Sequence, residues 1–361
     1  MGQLEETLGA ILLVLVLLDI FFLVLYARAS TGIYSERLSR FEWRALVGSA
    51  RFLGRLKKFY LALSGPIILI TVLLLWPILL SIAVALIVHP NLGTGITATH
   101  GPTPTDFITA LYVGGSSLDF IGSSDFSPQT NFFKMFDLVT SIIGLSLVSL
   151  TVTYLMELYG NLHARNSLGL RVELFSSQTG DAAEVIAGLG PRGKFEVGNS
   201  DLADWAADTS QVRESHHFYP ILFYFRFTEP YYSVSRTALV ALDTVSLIRS
   251  ALDDEEYGYL KEAVALEQLW RGNILQLRTL IKNLLPNANV EAPIDALTID
   301  RWQKRYEAGV VRLKQAGIKT VPSGVEAYIS LRTQWDRYIT LLAPAFAYDM
   351  NEIDTALAKV K

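Results

Sequence analysis

The chain has 361 residues, 51% hydrophobic and 18% charged, with a mean hydropathy of +0.32. That is too apolar and too sparsely charged for a soluble globular protein, and it points to the membrane class. A net charge of −4 gives no case for nucleic acid, and the lack of cysteine excludes disulfides, iron–sulfur clusters and cysteine-ligated zinc.

Three apolar runs are long enough to cross a bilayer, which takes about 20 helical residues. The first covers residues 8–26. Ala27-Arg28-Ala29 has the form of a leader-cleavage site. However, acidic Glu5 and Glu6 precede the run and it exceeds a leader's apolar core, so it is read as a retained helix. Asp19 lies within it, and an ionisable group inside a membrane is a functional candidate by default. The favoured alternative is a buried carboxyl hydrogen-bonded to a neighbouring helix.

Between the first and second spans lie Arg28, Arg37, Arg40, Arg44, Arg51, Arg55, Lys57 and Lys58, whereas residues 61–133 carry no Lys or Arg. The positive-inside rule therefore makes this linker and the C-terminal half cytoplasmic, with the N-terminus and the 89–131 loop outside. The second span, 60–88, is followed by an irregular Gly-, Pro- and Thr-rich stretch to Asp106. A short helix is then expected over 104–117, with Thr105 or Asp106 as its cap. It is too short to span. Irregular backbone after it at membrane depth is tolerable only when protein or a water-filled cavity surrounds it.

Residues 110–128 read ALYVGGSSLDFIGSSDFSP. Set without a gap against A-L-Y-x-x-x-x-T-L-T-T-V-G-Y-G-D-x-T-P, Ala110, Leu111, Tyr112, Leu118, Gly122, Asp125 and Pro128 match, and Ser127 nearly so. In this the chain resembles the pore-loop cation channel superfamily, potassium-channel type, over about residues 60–160. The resemblance implies a homotetramer around one axis, with 60–88 as outer helix, 104–117 as pore helix, 119–125 as filter and 132–160 as inner helix. It also makes Gly144, twenty residues beyond Ser124, the gating hinge; glycine in membrane helices equally serves close backbone approach.

The filter core departs from the family. Phe120, Ile121, Gly122, Ser123 and Ser124 stand where T-V-G-Y-G is expected. A potassium filter replaces the hydration shell with backbone carbonyls and a threonine hydroxyl, and its alternating positive φ favours two glycines. Only Gly122 keeps its place, while Phe120 removes the hydroxyl and Ser124 the second glycine. A wider or differently folded path is expected, with Ser123 and Ser124 hydroxyls as candidate ligands. Asp125 matches the aspartate outside the family filter, and four copies would form a cation-drawing ring. Asp119 is either a second such ring or a strut bonded to amides behind the filter. Ser117-Leu118-Asp119-Phe120 is also similar to the T-L-[ED]-x-W turn of bacterial sodium and calcium channels, where the acid is the selectivity ring.

From Gly144 onward, helical spacing sets Leu145, Val148, Val152 and Met156 on one stripe. Facing the axis, it would line an inner mouth able to gate by dewetting. Otherwise it faces lipid or the outer helix. Residues 166–200 are Gly-rich and read as a linker with a weak strand signal at 170–175. Beyond, helices are expected over about 200–212, 217–227, 230–252, 254–284, 293–316 and 322–360. Gly188-Leu189-Gly190-Pro191-Arg192-Gly193 has the letters of a dinucleotide loop but neither the preceding strand nor the following helix. Adjacent His216 and His217 do not share a helix face and suit no metal.

The expected molecule is an all-α membrane protein of the plasma (inner) membrane. Its segments are a peripheral span and basic linker (1–58), a pore domain (59–165), a Gly-rich linker (166–200) and a helical cytoplasmic domain (201–361). The expected function is a prokaryotic, non-voltage-gated cation channel with an altered filter. The alternative is a non-conducting or partner-gated receptor or scaffold that keeps the architecture. No enzyme activity, cofactor, metal or nucleic acid is expected. The expected company is the bilayer, other copies of the chain, permeant potassium or sodium, and a partner or ligand at the cytoplasmic domain.

Overall fold

The computed structural model describes residues 2–26, 32–119 and 125–355. It is 78% helical, and the sheet among the described residues is a single two-stranded ladder, so the class is all-α. Among the described residues three helices are long and apolar enough to cross a membrane, within Gly2–Leu25, Ser64–Asn91 and Asn131–Phe175. The chain forms two compact units, one of residues 1–46 with 65–159 and one of 47–64 with 160–361.

In the first unit, α1 (Gly2–Ile20) ends in a π-helical turn, Phe21–Leu25, and α2 (Ser35–Ala50) begins in the basic linker. The spanning helix α4 (Ser64–Val88) leads through β1 (Ile96–Ala98) to the short α5 (Phe107–Ser117). Then β2 (Phe126–Pro128) leads into α6 (Asn131–Phe175). Val16 and Ile20 of α1, Val72, Trp76 and Leu80 of α4, and Leu147 of α6 share one buried cluster. Val84 and Val88, Ile96, Ala110 and Val113, and Phe133 share another, which holds α5 between the end of α4 and the start of α6. The carboxylates of Glu5 and Glu6 meet His89 Nδ1 and Asn91 Nδ2, each at 2.7 Å. The start of α1 therefore lies beside the end of α4, and the two helices are antiparallel.

Asp19 is fully buried and acts as an anchor. Its Oδ1 accepts from the backbone N–H of Ile33 (2.7 Å) and Tyr34 (3.1 Å), and its Oδ2 from Trp76 Nε1 (3.1 Å) and the Ser35 hydroxyl. One carboxylate thus satisfies donors at the start of α2, which has no earlier turn to serve them, and ties α1 to α4. Replacing Asp19 by Asn keeps one acceptor oxygen and strands the donors facing the other. The expected loss is about 1–3 kcal/mol of stability, since unmade buried hydrogen bonds cost that much. A melt of Asp19→Asn in detergent that superimposes on wild type would rule the anchor out.

The second unit corrects four expectations. Residues 166–200 are packed rather than a linker: α6 runs unbroken to Phe175, so the weak strand at 170–175 is its last turns. No proline interrupts it, and Leu168 and Val172 are buried. Next, α7 (Ala182–Leu189) buries Ala182, Ala183, Val185 and Ile186 completely. Val185 and Ile186 contribute about 1.5–3 kcal/mol each by leaving water.

The basic linker is split, because 47–64 pack with the C-terminal part. Lys58 pairs with Glu352 at 2.6 Å, Lys58 O accepts from Arg226 at 3.3 Å, and the Ser64 hydroxyl reaches Tyr224 O at 3.1 Å. α3 (Lys57–Ala62) lies in this piece.

The expected helix at 217–227 is instead the end of α8 (Gly198–Phe218) and a buried 3-10 turn, Pro220–Tyr224. Pro220 lacks the N–H a helix needs and restricts Tyr219 before it. His216 is buried there, stacked on Phe223, with Nδ1 on Val212 O at 2.8 Å, so it is a core residue.

Two long expected helices are broken. α10 (Asp254–Lys261) and α11 (Val264–Leu284) part at Ala263, whose extended backbone (ψ 132°) lets both Leu260 and Leu266 turn inward. The 322–360 segment divides into α13 (Val325–Thr333), α14 (Asp336–Ala345) and α15 (Met350–Ile353), with Trp335 buried at one break and Tyr348 at the other. The central element is α9 (Val234–Ala251), buried along nearly its whole length, with α7, α11, α12 (Ala296–Gln315), α13 and α14 around it.

Candidate functional site

The site is built on α5. Asp106 caps it, accepting the Thr109 N–H at 3.0 Å and the Thr109 hydroxyl at 2.8 Å, so the helix starts three residues later than the expected 104. These hydrogen bonds hold the Asp106 carboxyl below its ordinary range. Ala110, Val113 and Gly114 form the buried face. Gly114 lets α5 lie against the α4 backbone, since a Cβ there would stand 2.6 Å from Ser81 O and 2.9 Å from Ala85 N. Small residues at Ser81, Ala85 and Gly114 are the device by which membrane helices approach closely.

The far end of α5 is seated on α6. The Ser141 hydroxyl donates to Ser117 O at 3.1 Å. At Gly144 a Cβ would fall 1.8 Å from Leu118 O, so only glycine admits the Leu118 carbonyl there. Gly144 lies thirteen residues beyond the first residue of α6, Asn131, or about 20 Å along it at 1.5 Å per residue.

Phe120, Ile121, Gly122, Ser123 and Ser124 lie outside the described residues. Both ends of that segment are held. On one side Asp119 N–H bonds Ser116 O at 3.2 Å, and the Asp119 side chain is exposed. On the other, Asp125 Oδ2 accepts from the Tyr112 hydroxyl at 2.9 Å, and Asp125 O accepts from Thr99 N–H at 2.8 Å. β1 and β2 pair antiparallel, Ile96 with Pro128 and Ala98 with Phe126, and the Tyr112 and Phe126 rings meet edge to face. Tyr112 therefore fixes Asp125 from inside the short helix.

No family model matches the chain, and no solved structure matches it. It is similar to the uncharacterized membrane protein YdjJ of Bacillus subtilis (strain 168). The two are 22% identical over 310 residues, covering 86% of this chain and 84% of that one. The likeness runs through most of both chains, so it takes in most of the C-terminal unit.

The α6 stripe is uncovered by its own chain: Leu145, Val148, Val152 and Met156 are 47%, 63%, 53% and 72% exposed. These are high values for aliphatic side chains, and they leave one face of α6 open to lipid, to another copy or to a water-filled axis. The sequence pattern named Asp119, Asp125 and Gly144. It favoured Asp19 as a buried carboxyl bonded to a neighbouring helix, as Trp76 now shows, and missed Tyr112 and Ser141 as positioning residues, although the small residues of α4 and α5 were a visible signal. Among the described residues no cluster of His, Asp or Glu suits a metal ion.

Proposed function

We propose that this chain is one subunit of a tetrameric, potassium-channel-like cation channel whose filter is not of potassium type. The observation that carries the reading is the seat of Leu118 on Gly144. An eleven-residue helix between two apolar helices has its C-terminal end about 20 Å along α6, less than the ~30 Å thickness of a hydrocarbon core. A helix end inside the core leaves carbonyls that need a protein or aqueous surround, and fourfold assembly about the uncovered α6 stripe supplies one. In this reading α4 is the outer helix and α6 the inner helix. Asp119 and Asp125 form carboxylate rings, and Leu145, Val148, Val152 and Met156 line the inner mouth. The N-terminus and the 89–131 loop face outward. The antiparallel setting of α1 and α4 supports that topology, since it brings Glu5 to His89.

Purified protein in liposomes should pass potassium or sodium but not chloride, and chemical cross-linking should give four copies. A tetramer with no cation flux would favour the non-conducting scaffold and sink the channel reading. Asp119→Asn removes one charge per subunit, four per pore. The expected result is a reversal potential moved toward that of chloride in a potassium chloride gradient, because a carboxylate ring excludes anions. An unchanged reversal potential would make Asp119 a strut.

A further inference from the structure

The C-terminal unit encloses a cavity of about 540 Å³ bounded by residues 292–295, α12, the α13–α14 junction and Asp354, within the ~300–1,000 Å³ typical of small-molecule sites. Its acceptors and donors are unequally spent. The lining carboxylates are all engaged. Asp181 and Asp295 cap helices, accepting Ala183 N–H at 2.9 Å and Thr298 N–H at 2.7 Å. Asp354 accepts from Arg305 Nη1 at 2.6 Å and Asp336 from Arg332 Nε at 3.0 Å.

Of the rim cations, Lys304 pairs with Asp300 at 2.7 Å, but two arginines are less engaged. Arg301 gives one hydrogen bond, from Nη2 to Thr298 Oγ1 at 2.6 Å, and Arg337 a long one, from Nε to Asn289 O at 3.4 Å. A guanidinium has five N–H donors in a planar fork, so each keeps donors to spare. Arg305, in the same wall, also keeps a buried Nη2 without a partner among the described residues. Between these groups the lining is apolar, with Pro293, Ile294, Ala308 and Met350. A cation entering would compete with a helix cap or an arginine for every lining carboxylate, whereas an acceptor-rich anion would find unspent guanidinium donors.

We propose that this cavity binds a small organic anion, a carboxylate or phosphate carried on an apolar body. Arg301 and Arg337 grip the charged end, and the apolar wall takes the rest. The inference does not rest on the channel reading, and binding is measured without any flux.

The test uses the full chain in detergent with AMP and benzoate as probes, and adenosine and benzamide as their uncharged counterparts, by calorimetric titration and thermal melting. At least one anion should bind and raise Tm, with its uncharged counterpart about tenfold weaker or more, the factor expected when a charge-assisted hydrogen bond is lost. Arg301→Gln and Arg337→Gln should each weaken the anion by about tenfold while the ligand-free melt stays put. The proposal is overturned if neither anion binds at millimolar concentration. It is equally overturned if the uncharged counterparts bind as tightly, or if both variants bind as wild type does.

Discussion

Gly144→Ala should dislodge the end of α5 and abolish cation flux. The added methyl would lie 1.8 Å from Leu118 O and 2.7 Å from Leu118 C. Both are backbone atoms, so no rotamer change relieves the overlap and a helix must shift. Overpacking of this kind costs about 1–3 kcal/mol and occasionally more, and the displaced segment leads directly into the proposed filter. Gly160 in the same helix is the control, because nothing lies within 4 Å of a Cβ there. Gly160→Ala should hold or raise Tm, since alanine outranks glycine in a helix by about 1 kcal/mol. The pair also separates two roles for Gly144. A hinge would alter gating and leave Tm alone, whereas a seat lowers Tm with the flux. Wild-type Tm and flux in Gly144→Ala would refute the seat.

The largest expected loss of stability comes from Asp243→Ala. Asp243 sits on α9 with no exposure. Its Oδ2 accepts from Arg305 Nε at 2.7 Å, and its Oδ1 from Arg332 Nη1 at 2.9 Å and the Tyr328 hydroxyl at 2.5 Å. Burial acts against the Arg305 charge, but Asp243 and Asp354 together hold its guanidinium well above its ordinary range. Removing Asp243 leaves Arg305 with Asp354 and Arg332 with Asp336 and Asp354, one carboxylate fewer for two buried guanidinium groups, and breaking a buried pair costs about 3–5 kcal/mol. That is a large part of the ~5–15 kcal/mol that keeps a domain folded. The measurement is denaturant unfolding followed by tryptophan fluorescence, since Trp302 and Trp335 lie over Arg332. Asp300→Ala breaks an exposed helical pair with Lys304 at 2.7 Å and should cost less than about 0.5 kcal/mol. Equal midpoints for the two variants would show that the Asp243 network is dispensable.

The spans were legible because the bilayer imposes a length and a polarity that composition alone reveals. The runs at 8–26, 60–88 and 132–160 correspond to α1, α4 and the first part of α6. α5 was legible because a cap and a Gly-rich apolar turn are local signals, so its end at Ser117 was anticipated and only its start moved. The C-terminal unit was harder. The glycines of 166–200 suggested a linker, yet the alanines and branched residues among them fill the core around α9. The breaks at Ala263 and Trp335 follow from what the neighbouring helices require, and no local breaker marks them.

For the site, the sequence by itself determined the apolar spans, the charge asymmetry across them, the short capped helix and the identities of Asp119, Asp125 and Gly144. These are properties of single residues or of short periodic runs. Only the tertiary structure decided that Gly144 receives Leu118 O, that Tyr112 holds Asp125, and that Asp19 serves both Trp76 and the start of α2. Each of these joins residues 13 to 57 positions apart. Whether such groups meet depends on how helices cross and which backbone atoms are left wanting partners. Periodicity along one chain carries no record of that.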